Sequence, residues 1–230
     1  MASPGAGCSA GRILANGKRL LAGYKDGSLR LWELKLCSAQ TARSQHQSPV
    51  TVCAAQHAGP LAASGAEDGS VLLVHTDETG GLKVLQQFDW TADRAGVSGQ
   101  AGGDTDDSQS EEAAGNSVEC LSFAPNQPHL CVGYVNGTCL LWNLNSYQLQ
   151  HRLPHPDGVV RILWLPLPHQ LLTASLDGAV RLWDSRNGQT MKEWMGHRGE
   201  ILDMIFCEAT QLIVTAGGDR VCRVFSMAEA

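Results

Sequence analysis

A polar turn followed six residues later by an aromatic or apolar anchor recurs five times in this chain of 230 residues, and nothing else in it constrains the fold as strongly. The turns read GYKDGSLRLW from Gly23, GAEDGSVLLV from Gly65, GYVNGTCLLW from Gly133, ASLDGAVRLW from Ala174 and AGGDRVCRVF from Ala216. Asp26, Asp68, Asn136, Asp177 and Asp219 hold the turn position, and Trp32, Val74, Trp142, Trp183 and Phe225 hold the anchor. Successive turn residues lie 42, 68, 41 and 42 positions apart. A fixed spacing of this kind means one supersecondary unit repeated, each too small to bury its own apolar face alone.

A period near 40 with this signature resembles that of WD-type repeats, each blade a four-stranded antiparallel sheet. The fold expected is therefore all-β: a WD-repeat β-propeller of about five blades over residues 9–227. The units fall near residues 9–40, 41–90, 117–152, 153–195 and 196–227. In each, an apolar strand comes first (50–54, 118–123, 159–163, 201–206), and a second leads into the turn. A third alternates after it, as at Leu29 and Leu31 or Val180 and Leu182, and a more polar fourth follows. Asn16-Gly17 and Asn187-Gly188 are hairpin signals. The last unit stops after its third strand, so the expectation is part of a seven- or eight-bladed ring, with open edges that invite a further strand or chain.

The 68-residue step reflects an insertion. Residues 91–116 are rich in Gly, Asp, Ser and Gln, with Val97 the only large aliphatic residue. Such a stretch cannot bury enough apolar surface to offset its ordering entropy, so it is expected to be a disordered inter-blade loop. It carries six acids (Asp93, Asp104, Asp106, Asp107, Glu111, Glu112) against Arg94, a net −5 out of the chain's −6. The remaining repeats are near neutral, and no Lys/Arg run exists, so direct nucleic-acid binding is not expected. A basic protein client could be drawn to the loop.

Eight cysteines are present, but without C-x-x-C spacing or a Cys/His pair at ligand distance, so they are read as reduced structural thiols and no metal or cofactor is expected. Cys139 and Cys222 stand where other repeats place Leu29, Val71 and Val180, and are read as small apolar strand residues. The start of the chain has neither the basic nor the apolar segment of a signal peptide, and no apolar run reaches the roughly 20 residues of a membrane helix.

His46, His155 and His197 each precede their anchor by 28 positions. The WD-repeat resemblance implies that this His, the turn Asp, a Ser/Thr of the second strand and the anchor Trp form a buried hydrogen-bonded set. Unit four carries all four types (His155, Thr173, Asp177, Trp183). Unit five has His197, Thr215 and Asp219, and unit two has His46, Ser64 and Asp68. Units four and five should be the stiffest, and unit three should lean on apolar packing. An acid/base reading of the His and Asp residues would need one convergent pocket, whereas each pair belongs to a separate unit.

No nucleophile elbow, phosphate loop, dinucleotide fingerprint or zinc-protease motif occurs, so the chain is not expected to be an enzyme. Trp90, Trp164 and Trp194 lie off the anchor positions and are expected to pack between sheets. The residues just before the turn acids, Lys25, Glu67, Val135, Leu176 and Gly218, should share one rim. They are the candidate binding face.

Beyond the generic repeat, the segments GYKDGSLRLWEL, NSVECLSF behind its acidic stretch, VGYVNGT, SLDGAVRLWD and GHRGEILDM resemble the angio-associated migratory cell protein family of WD-repeat proteins over essentially the whole chain. The resemblance implies a cytoplasmic, partly membrane-associated scaffold for other proteins, linked to cell migration and angiogenesis. Fungal relatives imply an alternative, the escort of a newly made basic ribosomal protein.

Overall fold

A computed structural model describes residues 7–15, 17–36, 38–41, 46–76, 81–90 and 116–227. The segment 91–115, which makes up almost all of the acidic insertion, lies outside the described residues, as does Cys37. The described chain is built of strands, with no helix among the described residues.

The chain divides into two compact units. The first comprises Met1–Ala55 and Gly59–Val118, and the second Gln56–Ala58 and Glu119–Ala230. The first unit holds two four-stranded antiparallel sheets. One runs in order β1 (Cys8–Ile13), β2 (Arg19–Tyr24), β3 (Leu29–Glu33), β4 (Ser38–Thr41). The other runs β5 (Val50–Ala55), β6 (Leu61–Ala66), β7 (Val71–Thr76), β8 (Leu82–Phe88). The second unit holds β9 (Val118–Phe123), β10 (His129–Tyr134), β11 (Cys139–Asn143) and β12 (Gln148–Arg152) in one sheet. Its next sheet is β13 (Val159–Trp164), β14 (Gln170–Ser175), β15 (Ala179–Asp184) and β16 (Gln189–Met195). A three-stranded sheet follows, of β17 (Ile201–Cys207), β18 (Leu212–Gly217) and β19 (Cys222–Ser226). Every sheet is a simple meander, as short hairpin connections require.

The recurring turn joins the second and third strands of each sheet. Its glycines adopt the left-handed backbone that a tight hairpin needs, for example Gly178 at φ 82°. The last turn has Arg220 there, at φ 64°. A side chain in that region is strained, so this hairpin is the least well matched of the five.

Within each unit, successive sheets meet through a glycine–valine seat. A Cβ built on Gly133, at the end of the second strand, would come within 2.9 Å of Val159, the first residue of the next sheet. Gly23 stands in the same relation to Val50. In the fourth sheet Ala174 takes the place of glycine and packs in one apolar cluster with Ile201. Bare backbone at this point lets the neighbouring strand approach, and inner strands such as β10 and β15 are buried along their whole length.

The first unit's core joins Leu21, Leu29, Leu31, Val50, Leu72 and Val74. In the second unit Cys120, Cys131, Cys139, Leu141, Val159 and Trp183 form one cluster. The cysteines are free thiols where described, and Cys139 is buried as a small apolar residue. Cys222 departs from that expectation: it is exposed, because β19 is an outer strand and one face of its sheet is uncovered. Leu202, Ile205 and Val224 of the same sheet are each about 60% exposed (58, 58 and 61%). Trp164 and Trp194, half-buried, pack against the clusters of the third and fourth sheets.

Candidate functional site: the turn rim

Four of the five rim positions share one backbone device. The amide of Lys25 donates to Gly7 O at 3.0 Å, Glu67 to Pro49 O at 3.0 Å, Leu176 to Gly158 O at 2.8 Å and Gly218 to Glu200 O at 2.8 Å. Each bond spans 18 residues, tying the turn to the loop that enters the same sheet's first strand. Lys25, Glu67, Val135 and Gly218 are exposed and Leu176 is half-buried.

Beside the turns lie the hydrogen-bonded sets, and each sheet solves the problem differently. In the fifth sheet His197 bridges the two expected partners. Its Nδ1–H donates to Asp219 Oδ1 at 3.0 Å, and Nε2 accepts from the Thr215 hydroxyl at 2.8 Å. That bond from His197 is the main cause of the lowered Asp219 pKa. Phe225 supplies no N–H to extend the chain of bonds.

The fourth sheet has all four residue types, yet the set is divided. Trp183 Nε1–H donates to Thr173 Oγ1 at 2.8 Å, and the threonine hydroxyl donates to His155 Nε2 at 2.7 Å. His155 Nδ1–H then goes to the Leu153 carbonyl at 2.8 Å, not to the turn acid. Asp177 is held by Arg181 at 2.7 Å and by the Ala179 amide at 3.0 Å. The expected His155–Asp177 link is therefore replaced. An arginine four residues along β15 offers the carboxylate a full charge, which a neutral imidazole cannot match. Arg181 also reaches Glu193 at 2.6 Å. His155 stays neutral, its pKa lowered to about 4 by burial and by the Arg181 charge.

In the second sheet a serine stands between histidine and acid. His46 Nδ1 meets Ser70 Oγ at 2.7 Å and Nε2 meets Ser64 Oγ at 2.8 Å. Ser70 in turn bonds Asp68, whose pKa is held down by its side-chain and backbone bonds to Ser70 against the opposing effect of burial. Burial lowers the His46 pKa to about 4. In the first sheet Tyr24 takes the role of the strand hydroxyl, accepting from Trp32 Nε1 at 3.0 Å, while Arg30 stacks over its ring at 4.1 Å. Ser70, Tyr24, Leu153 and Arg181 were not among the residues singled out from sequence. The arginine had a signal: Asp26/Arg30, Asp177/Arg181 and Asp219/Arg223 all share the same four-residue spacing.

These histidines and acids stay within their own sheets, and no group of three or more metal-ligating side chains occurs among the described residues. The geometry serves to hold hairpins.

Comparison with known proteins agrees with the sheet pattern. The family model described as WD domain, G-beta repeat matches residues 38–74, 109–143, 147–184 and 188–226. The chain belongs to the WD-repeat family.

Each match in this WD-repeat chain ends on or beside the third strand of a sheet, and three begin at or just before the fourth strand of the preceding one (β4, β12, β16). The family repeat is thus offset by one strand from the sheet. The chain is 35% identical over 225 residues to angio-associated migratory cell protein of Canis lupus familiaris and of Homo sapiens, covering 96% of this chain and 49% of each relative. It therefore spans about half the length of these relatives. In structure it is similar to Chaetomium thermophilum Sqt1, solved bound to the N-terminus of ribosomal protein L10, with a TM-score of 0.77. That match has 23% identity and covers 95% of this chain and 58% of that one, and it shows the same β-propeller fold.

Proposed function

We propose that this WD-repeat chain is a non-enzymatic scaffold whose turn rim, Lys25, Glu67, Val135, Leu176 and Gly218, holds a protein partner. One observation carries the reading. The same backbone bond recurs at four of the five positions, whereas the residues at the five are a cation, an acid, two aliphatics and a glycine. A constant frame bearing non-repeating side chains is how a repeat protein encodes specificity for one partner. Likeness to angio-associated migratory cell protein supports a role in cell migration and angiogenesis, in the cytoplasm or at the membrane surface. No helix among the described residues is long and apolar enough to cross a membrane. The test is rescue of wound closure in depleted cells by the wild-type chain against a Lys25→Glu, Glu67→Lys, Leu176→Asp triple variant. Equal rescue by both removes the rim from the reading.

A second reading is escort of a basic ribosomal protein. Two things favour it: the structural likeness to Sqt1, which was solved with a ribosomal peptide, and the net −5 of residues 91–116. Titration with the N-terminal peptide of ribosomal protein L10 tests it. Binding should weaken steeply with salt and fall on deleting residues 91–115. Salt-independent binding, or none, counts against it.

A further inference from the structure

In four of the sheets the third strand pairs on both sides, as β15 does with β14 and β16. β19 pairs with β18 alone among the described residues. An edge strand presents a row of unpaired N–H and C=O groups that can template a further strand. The fourth sheet shows what such a strand looks like on this framework. β16 sets Glu193 directly opposite Arg181, and Trp194 opposite Val180. Arg181 Nη2 donates to Glu193 at 2.6 Å as well as to Asp177 at 2.7 Å. Trp194 packs against the apolar cluster that holds Val180 and Leu182.

Arg223 is the counterpart of Arg181. Each lies four residues past its turn acid and directly opposite a threonine of the second strand, Thr215 for Arg223 and Thr173 for Arg181. Yet Arg223 has neither carboxylate. Asp219 is taken by His197, and the Arg223 Nε is buried without a hydrogen-bond partner. A guanidinium N–H left in that state is costly, and a carboxylate is the group that relieves it best. Side chains alternate along a strand, so Cys222 and Val224 lie on the opposite face from Arg223. They are the counterparts of Val180 and Leu182, and both are exposed, Val224 at 61%.

We propose that β19 accepts an extended segment of a partner protein as a fourth strand, with an acidic residue opposite Arg223 and a bulky apolar residue opposite Cys222. The segment's main chain continues the ladder. Its carboxylate meets the guanidinium on one face, and its apolar side chain widens the Cys222–Val224 patch on the other, so the alternation sets the register. The same arginine repels a basic segment. This chain's own strand of that pattern, β16, is already paired in the fourth sheet, so the segment comes from another protein. The inference does not rest on what the turn positions bind.

The probe is the peptide acetyl-QTMKEWM-amide, which copies β16, titrated calorimetrically into the full chain. Saturable binding is expected, with slowed amide exchange over residues 222–226. Affinity should fall about tenfold when lysine replaces the peptide's glutamate, and about tenfold with Arg223→Glu. The lysine peptide should in turn bind Arg223→Glu about tenfold more tightly than the original peptide does, an exchange of charges that a merely structural arginine would not give. Should Arg223→Glu fail to fold, the two peptides on the parent chain decide alone. No saturable heat, equal binding of both peptides to the parent, or slowed exchange only at other strands overturns the proposal. Concentration-dependent dimerisation that Arg223→Glu abolishes also overturns it, since a second copy would then fill the edge.

Discussion

Asp177 and Arg181 are joined side chain to side chain at 2.7 Å, and this pairing takes the turn acid of the fourth sheet away from His155. Both partners are mostly buried (14% and 10% side-chain exposure), so the pair sits where Coulomb attraction is weakly screened. Removing one partner strands a buried charge. Asp177→Ala is therefore expected to destabilise by about 2–4 kcal/mol. In double-mutant cycles by urea denaturation, Asp177 should couple to Arg181 by about 1–3 kcal/mol and to His155 by far less. In the fifth sheet the coupling should run between His197 and Asp219. A strong Asp177–His155 coupling would refute the division of the set.

Thr173 links Trp183 to His155, accepting from one and donating to the other. Thr173→Val keeps the shape and loses both bonds, leaving the indole N–H buried. The expected cost is about 2–3 kcal/mol, read as a drop in thermal midpoint. Thr215→Val should cost less, since Phe225 offers no N–H to leave unpaired.

The glycine–valine seat predicts an overpacking penalty. Gly133→Ala puts a methyl within 2.6 Å of Cys120 Sγ and 2.9 Å of Val159. Destabilisation of about 1–3 kcal/mol should follow, measured by chemical denaturation. The fourth-sheet equivalent is already Ala174, so Ala174→Gly should cost no more than about 1–2 kcal/mol from lost packing and added chain entropy.

Stability should fall with acid between pH 6.5 and about 4. His46 and His155 have folded pKa values near 4 against 6.5 for the free side chain. In that window the unfolded chain binds more protons, so acid favours unfolding; below about 4 both states are protonated and the loss is complete. Each histidine can contribute on the order of 3 kcal/mol at neutral pH. Urea midpoints at pH 7.5, 5.5 and 4.5 should decline in that order, and the slope should shrink in a His155→Asn variant. A flat profile would mean that these rings are solvated.

Thiol labelling separates the cysteines. Cys8, Cys207 and Cys222 are exposed, whereas Cys120, Cys131 and Cys139 are buried. Burial pushes the Cys120 thiol up, and the Cys53 thiol up to about 12, while bonds from Thr210 lower Cys207. With a maleimide at neutral pH, Cys207 should react first and the buried group should wait for unfolding. Mass mapping of labelled peptides checks the order.

The five hairpins were legible in the sequence because their signals are local: a polar turn, an alternating strand and an apolar anchor at a fixed distance. What periodicity could not show was which of several nearby donors a carboxylate would choose. Asp177 and Asp219 look alike in sequence, yet one takes an arginine and the other a histidine, because the outcome depends on where Arg181 and Arg223 point. Ser70 entered the second sheet's network equally unannounced, since a serine after a turn is usually solvated. Cys222 failed as an apolar residue because strand position says nothing about whether a neighbouring sheet covers it.

The one-strand offset between family repeat and sheet makes the units interlock like links, since the repeats that start at β4, β12 and β16 lend that strand to the sheet before them. A cut at three of the boundaries therefore leaves a sheet incomplete: a break after Asp184 takes β16 from the fourth sheet and leaves three strands behind. A lost or gained repeat is thus felt by two sheets at once. Mechanical or proteolytic damage at one joint will spread to the neighbour instead of stopping at a seam.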